Sequence, residues 1–152
     1  MDLLPTFAAL AKAQGRAAQK IDGHDILPLM LGQQHAKSPY EALFYYERDQ
    51  LQAVRSGPWK LFLPLQEFTR HPHFKTATKN KEEGSHALLF NVVQDVDCSN
   101  NLVAEYPQVV SRLSRLADVA RADLGDRERP GKGQRKPGKV KHPVPLRKVV
   151  PE

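Results

Sequence analysis

Cysteine is nearly absent from the sequence: Cys98 is the one thiol in 152 residues. A disulfide framework and a cysteine-rich zinc site both need several cysteines, so both are excluded. Long apolar runs are lacking as well. The most apolar windows, residues 26–31 and 61–65, fall far short of the roughly 18 residues that a membrane-spanning helix needs, and no membrane span is predicted.

Positive charge is concentrated at one end of the chain. Lysine and arginine outnumber aspartate and glutamate by 23 to 17, but residues 127–152 alone carry nine of the cations and two glutamates. Residues 1–126 then have a net charge of −1, and no specific nucleic-acid interface is predicted. Because the tail is rich in proline and glycine, we expect residues 126–152 to be disordered. Contact of this tail with an anionic polymer or a membrane surface is the alternative.

Hydrophobic periodicity predicts an α+β fold. Apolar residues at helical spacing indicate helices over residues 2–18 and 104–124, and a short apolar run at 26–31 predicts a buried helical turn. Alternating runs predict four strands of a small antiparallel sheet, at residues 43–47, 51–55, 59–63 and 87–93. The sheet packs on the C-terminal helix, which leaves the first helix without an obvious packing partner.

Few residues have the chemistry of a self-sufficient active site. Asp22 and Asp25 flank a glycine turn, where capping of the next helical turn competes with binding of a cation. Cys98 has no matched histidine and acid, so we interpret it as a free thiol in a polar turn. Trp59 begins the third strand, and half-buried core is favoured there over a binding edge.

Five segments, taken in order, carry a resemblance to a known family. Together they resemble the C-terminal part of sulfatases, most of all arylsulfatase A-like enzymes of the alkaline-phosphatase-like superfamily. The resemblance spans about residues 2–125. The segments are Asp-Leu-Leu-Pro-Thr-Phe at 2–7, Ile-Asp-Gly-His-Asp-Ile-Leu-Pro-Leu at 21–29, Leu-Phe-Tyr-Tyr at 43–46, Leu-Gln-Ala-Val-Arg-Ser-Gly-Pro-Trp-Lys-Leu at 51–61, and Leu-Phe-Asn-Val at 89–92 with Asp95 and Asn101-Leu102.

The resemblance implies a domain organisation and a reaction. Residues 1–36 would be the closing helix and connector of a truncated α/β catalytic domain, residues 37–125 the C-terminal subdomain, and residues 126–152 the tail. The family hydrolyses sulfate esters or sulfamates. Its nucleophile is a formylglycine made from a Cys/Ser-x-Pro-Ser-Arg motif, and calcium held by aspartate and asparagine ligands polarises the sulfate.

The chain departs from a complete family member. Cys98 lies in Cys-Ser-Asn-Asn-Leu, which is not the maturation motif, and takes the place of a family glutamate. No residue here matches the family's nucleophile or metal ligands, so no catalytic or metal residue is assigned, and calcium is expected only for the complete enzyme. The family's Asp-Pro-x-Glu turn reads Asp-Val-Asp-Cys at residues 95–98, a change expected to loosen the turn.

Two functions are consistent with the resemblance. In the first, Met1 is an internal methionine and the chain is a C-terminal sulfatase fragment, inactive alone. Its partners would be the upstream catalytic domain and a sulfated small molecule or glycan. In the second, the chain is a stand-alone binding module for sulfated polymers. Many bacterial relatives are exported, which implies a periplasmic or secreted location for a complete enzyme.

One loop is the predicted place of substrate contact. Residues 65–86 form a long polar connection between the third and fourth strands. Arg70, His71 and His73 lie in it, and their side chains are suited to an anionic substrate. A mobile surface loop with no binding role is the alternative.

Overall fold

The computed structural model describes residues 1–13, 21–65, 86–127, 129–135 and 139–143. Its elements confirm an α+β fold with a four-stranded antiparallel sheet and a long C-terminal helix. In chain order they are α1 (Leu3–Leu10), α2 (Leu27–Met30), β1 (Leu43–Glu47), β2 (Gln50–Ser56), β3 (Trp59–Phe62), β4 (Leu88–Asn91), α3 (Pro107–Leu124), β5 (Gly125–Asp126) and β6 (Arg129–Pro130).

The sheet is a meander in the order β1-β2-β3-β4, with each strand antiparallel to the next. Tight turns join the first three strands. Arg48 and Gly57 take positive φ angles of 56° and 57° in these turns. That conformation costs glycine nothing, whereas it is uncommon for arginine. The register shifts between Tyr45 and Tyr46, which pair with Ala53 and Leu51, so Gln52 is an extra residue in β2.

One face of the sheet is covered by α3. Alternate strand residues point toward the helix, except in β2, where the register shift puts Leu51 and Val54 on the same face; they form a core with three helix residues spaced at helical intervals. The fully or almost fully buried members of this core are Leu51, Val54, Leu61, Leu63, Leu89, Leu113, Ala117 and Ala120. The apolar residues at helical spacing are buried at the centre of α3, whereas Leu124 at its end is exposed.

The turn after β4 is well ordered by hydrogen bonds. The Asp95 carboxylate accepts bonds from the backbone N–H and hydroxyl of Ser99 and from the backbone N–H of Asn100, at 2.9–3.0 Å. Cys98 is buried there, with a φ of 52°. Asp95 thus supplies three acceptor contacts in this turn, and the expected loosening relative to the family's turn stays a prediction.

The beginning of the tail is structured, so the prediction of disorder from residue 126 was wrong for residues 126–127 and 129–135. β5 pairs with β6, and Gly125 has a φ of 89°, with room for no Cβ beside the Arg129 carbonyl oxygen. The backbone N–H groups of Lys132 and Gly133 donate to the carbonyls of Ala122 and Asp123. These contacts satisfy carbonyls that the end of α3 would otherwise leave without partners.

The first two helices form a small unit ahead of the sheet. Thr6 is fully buried; its hydroxyl donates to the Asp2 carbonyl and accepts from the Ile26 N–H at 3.0 Å. α1 ends at Leu10, earlier than predicted, and residues 14–20 lie outside the described residues. The predicted burial of residues 26–31 was wrong, because Leu29, Met30 and Leu31 are exposed.

Candidate functional site

The predicted substrate-contact residues Arg70, His71 and His73 lie outside the described residues, which stop at 65 and resume at 86. What the structure does place is the pair of strand ends that this connection joins. β3 and β4 are antiparallel neighbours in the sheet, so the connection begins and ends at the same end of these two strands.

An exposed apolar set lies on α1 and α2. Seven large apolar side chains belong to it: Leu3, Leu4, Phe7, Leu10, Leu29, Met30 and Leu31. Leu4 is 67% exposed and Phe7 is 54% exposed, values expected for polar surface residues. Soluble monomers rarely expose so many large apolar side chains close together in sequence, and such exposure marks a surface that another molecule covers.

A polar junction ties this helical unit to the segment before β1 and to the tail. The Asp2 carboxylate accepts hydrogen bonds from the Tyr40 hydroxyl and from the His24 N–H, and the His24 ring packs edge-on against Tyr40 at 4.8 Å. Arg135 forms an ion pair with Asp22 at 2.6 Å. Asp25 accepts from the Leu27 N–H at 2.9 Å, which is the predicted capping role.

The Tyr40 hydroxyl holds the pKa of the Asp2 carboxyl below its ordinary value, with the His24 N–H as a second cause. A carboxyl with a lowered pKa in the folded state stabilises the fold above its ordinary pKa, and that contribution disappears as the pH falls through the lowered pKa. Tyr40→Phe is therefore expected to raise the Asp2 pKa toward 3.8, read from the carboxyl carbon by NMR titration. Tyr45→Phe is the matched control, and an unchanged Asp2 pKa in Tyr40→Phe would contradict the contact.

The sheet face opposite α3 carries a cation among aromatic rings. The Lys60 ammonium lies 4.6 Å from the ring centroids of both Tyr45 and Phe62. Arg55 is paired directly with Lys60 across β2 and β3, so both cations are on this face. Trp59 is on the other face, half-buried against Tyr106 and the core, which confirms its predicted structural role.

Cys98 does not have the environment of a reactive thiol. It is buried beside Ala53, Phe62 and Phe90, and burial raises the pKa of its thiol above the ordinary value. A thiol with a raised pKa stays protonated at neutral pH and is a weak nucleophile. Among the described residues no group of three or more histidine, cysteine, aspartate and glutamate side chains is placed to hold a metal ion.

Sequence reasoning missed a partly buried polar link between α3 and the sheet. The Arg121 guanidinium pairs with Asp126 at 2.8 Å, and the other Asp126 oxygen accepts the Leu51 N–H at 3.0 Å. Burial alone would lower the Arg121 pKa, but its hydrogen bonds to Asp126 and Asp118 raise it overall. The link holds α3 in place, and no local sequence signal pairs residue 51 with residue 126.

Within the described segments, no helix is long and apolar enough to cross a membrane. The remaining question is which known proteins have this sheet and helix.

Residues 38–140 match the family described as the C-terminal region of aryl-sulfatase. The chain belongs to this family, and the predicted resemblance to the C-terminal part of sulfatases is confirmed. The match runs past residue 125, in agreement with the structured hairpin found there.

Similarity to individual proteins agrees with the family. The chain is 40% identical to mouse steryl-sulfatase over 93 residues, covering 59% of this chain and 14% of that protein. It is 41% identical to human steryl-sulfatase over 141 residues, covering 79% and 23% respectively. It is 48% identical to bovine arylsulfatase A over 65 residues, covering 40% and 12%. The chain thus spans less than a quarter of the length of each of these relatives.

A solved structure has the same fold. It comes from work on the metabolism of multiple glycosaminoglycans by Bacteroides thetaiotaomicron, and it matches with a TM-score of 0.55 and 24% identity. The match covers 79% of this chain and 24% of that one. At this identity the likeness shows the fold alone.

Proposed function

We propose that the chain acts as the C-terminal region of a sulfuric ester hydrolase, with an α/β catalytic domain covering the exposed apolar set of α1 and α2. The observation that carries the proposal is the join between a sulfatase C-terminal fold and a helix whose apolar residues are exposed. Burial of apolar surface is the main favourable term in association, so a helix such as α1 is expected to be buried in the working enzyme.

The chemistry in this proposal belongs to the catalytic domain. The hydrated gem-diol form of a formylglycine there would attack the sulfur atom and release the alcohol of the ester, and calcium there would polarise the sulfate. The described residues supply neither group: Cys98 is buried outside the maturation motif, and no described cluster fits a metal ion. The residues of this chain would therefore position the domain and shape its substrate cleft, with Arg70, His71 and His73 as proposed contacts of a sulfated small molecule or glycan.

A chimera tests the proposal. The C-terminal region of bovine arylsulfatase A is replaced by this full chain, and hydrolysis of 4-nitrophenyl sulfate is measured. We expect the chimera to hydrolyse the ester and the chain alone to be inactive. Leu4→Asp combined with Phe7→Asp is expected to lower the activity of the chimera at least tenfold, because two carboxylates would be buried in an apolar contact.

Val119→Asp is the matched control, since Val119 is 65% exposed on α3 and lies outside the α1–α2 apolar set. It is expected to leave the activity within twofold. A folded chimera without activity, or one indifferent to the two α1 substitutions, would contradict the proposal. If the chain alone instead binds sulfated polymers and the folded chimera is inactive, the stand-alone binding module becomes the better description.

A further inference from the structure

The sheet face that α3 leaves uncovered carries two positive charges side by side. The register places Leu43, Arg55, Lys60 and Phe90 in one row across the four strands. Directly paired side chains on one face have their Cβ atoms about 5 Å apart, and like charges in such a pair destabilise a sheet. A pair of this kind calls for a compensating anion.

No carboxylate of the described chain supplies that anion. Neither Arg55 nor Lys60 forms a salt bridge with a described residue; the Arg55 Nε contacts the Gly57 carbonyl at 3.4 Å, at the limit of a hydrogen bond. Both side chains are half-buried. Within the described ranges, then, no carboxylate neutralises either charge.

The surroundings of Lys60 are aromatic and partly buried: Phe62 belongs to a buried cluster on this face, whereas Tyr45 is 38% exposed. The next row of the register is Tyr45, Ala53, Phe62 and Leu88, so the small Ala53 side chain separates the two aromatic residues. This leaves space for the Lys60 ammonium between the two rings, where their faces stabilise a cation. The exposed Leu43 and Tyr45 side chains continue the apolar surface toward the sheet edge.

We propose that Arg55 and Lys60 bind the sulfate group of a sulfated sugar away from the reacting ester, with the sugar ring against Tyr45. The choice of a sulfated sugar rests on the proposed function. Arg55 and Lys60 extend from directly paired positions whose Cβ atoms are about 5 Å apart, and a guanidinium with an ammonium suits a tetrahedral oxyanion, which accepts a forked contact from arginine and a point charge from lysine. The apolar side of a sugar ring matches the exposed aromatic surface. A nucleic acid would need a longer basic stripe, and residues 1–126 carry a net charge of −1.

NMR titration of the full, ¹⁵N-labelled chain tests this site. The probe is a chondroitin 6-sulfate hexasaccharide, with its chemically desulfated form as the ligand control. We expect amide shifts at residues 53–62 with the sulfated probe and none with the desulfated one. Arg55→Gln combined with Lys60→Met is expected to weaken binding at least tenfold, since both charge-assisted contacts to the anion are removed.

Lys132→Gln is the matched control, because it removes one exposed cation from the basic tail and is expected to change affinity less than twofold. Shifts confined to residues 129–143, equal binding of the desulfated probe, or unchanged affinity in the double variant would each overturn the site. If the double variant loses its amide dispersion, it is unfolded, and the affinity of the single variant Arg55→Gln is measured instead. The Arg55 side chain makes one long contact, so this variant is expected to fold. Binding at this site together with an inactive chimera would refute the proposed function but support the sulfate site. An active chimera without these amide shifts would support the proposed function but refute the sulfate site.

Discussion

Leu113→Ala is expected to lower the free energy of unfolding by about 3 kcal/mol, within the range of 2–5 kcal/mol for large-to-small changes in a core. Leu113 is fully buried at the centre of α3, against the sheet residues Leu51 and Leu61. Its truncation removes apolar burial and leaves a cavity that a small sheet cannot close. Urea unfolding followed by circular dichroism measures the effect as a lower midpoint with an unchanged slope.

The control for this change lies on the same helix. Val119 is exposed, and Val119→Ala is expected to shift stability by no more than about 0.5 kcal/mol. The pair separates loss of core packing from any change in helix propensity, because both variants place alanine in the middle of α3. A loss below about 1 kcal/mol for Leu113→Ala would mean that α3 does not cover the sheet as described.

Asp126→Ala is expected to lower the free energy of unfolding by about 2–3 kcal/mol, because it removes the hydrogen-bond partner of two groups at once. Asp126 is 14% exposed; one carboxylate oxygen pairs with Arg121 and the other accepts the Leu51 N–H. Removal leaves a half-buried guanidinium without its main partner and a backbone donor unsatisfied. The free energy of unfolding, measured by urea titration, should fall accordingly, and exchange of the Leu51 amide with solvent should accelerate.

Asp118→Ala provides the matched comparison, because Asp118 pairs with the same arginine but is 72% exposed. Its loss is expected to cost about 0.5 kcal/mol, as for other surface ion pairs. Adding Arg121→Met to Asp126→Ala should recover part of the loss, since the uncompensated charge is then gone. If Asp126→Ala and Asp118→Ala lowered the free energy of unfolding equally, the contacts of Asp126 would contribute no more to stability than an exposed ion pair.

The sheet was predictable because its signals are local. Alternation of apolar and polar residues located all four strands, and the predicted bounds differ from the observed ones by one or two residues. Apolar residues at helical spacing likewise placed Leu113, Ala117 and Ala120 on one side of the last helix. The sulfatase identity came from the order of five segments, a property of the whole chain.

The tail and the first helices were less predictable, for physical reasons. The average charge and proline content of residues 126–152 indicated disorder. This average carries no information on individual long-range contacts, such as those of Asp126 and Arg135 with residues that precede them by 75 and 113 positions. The run at 26–31 is apolar enough for burial, yet its side chains are exposed in the structure. Hydrophobic periodicity indicates which residues favour burial. It does not indicate which part of this chain, or which other molecule, covers them.

The adjacency of β3 and β4 has a consequence for how this subdomain can diversify. The two strands are hydrogen-bonded neighbours, although 25 residues separate Phe62 from Leu88 along the chain. The entropy of closing such a connection grows only with the logarithm of its length, so doubling it costs about 0.6 kcal/mol. Insertions and deletions between these strands therefore leave the sheet nearly unaffected. The connection between β3 and β4 can therefore accept new recognition elements with little loss of stability, in natural variation and in engineering.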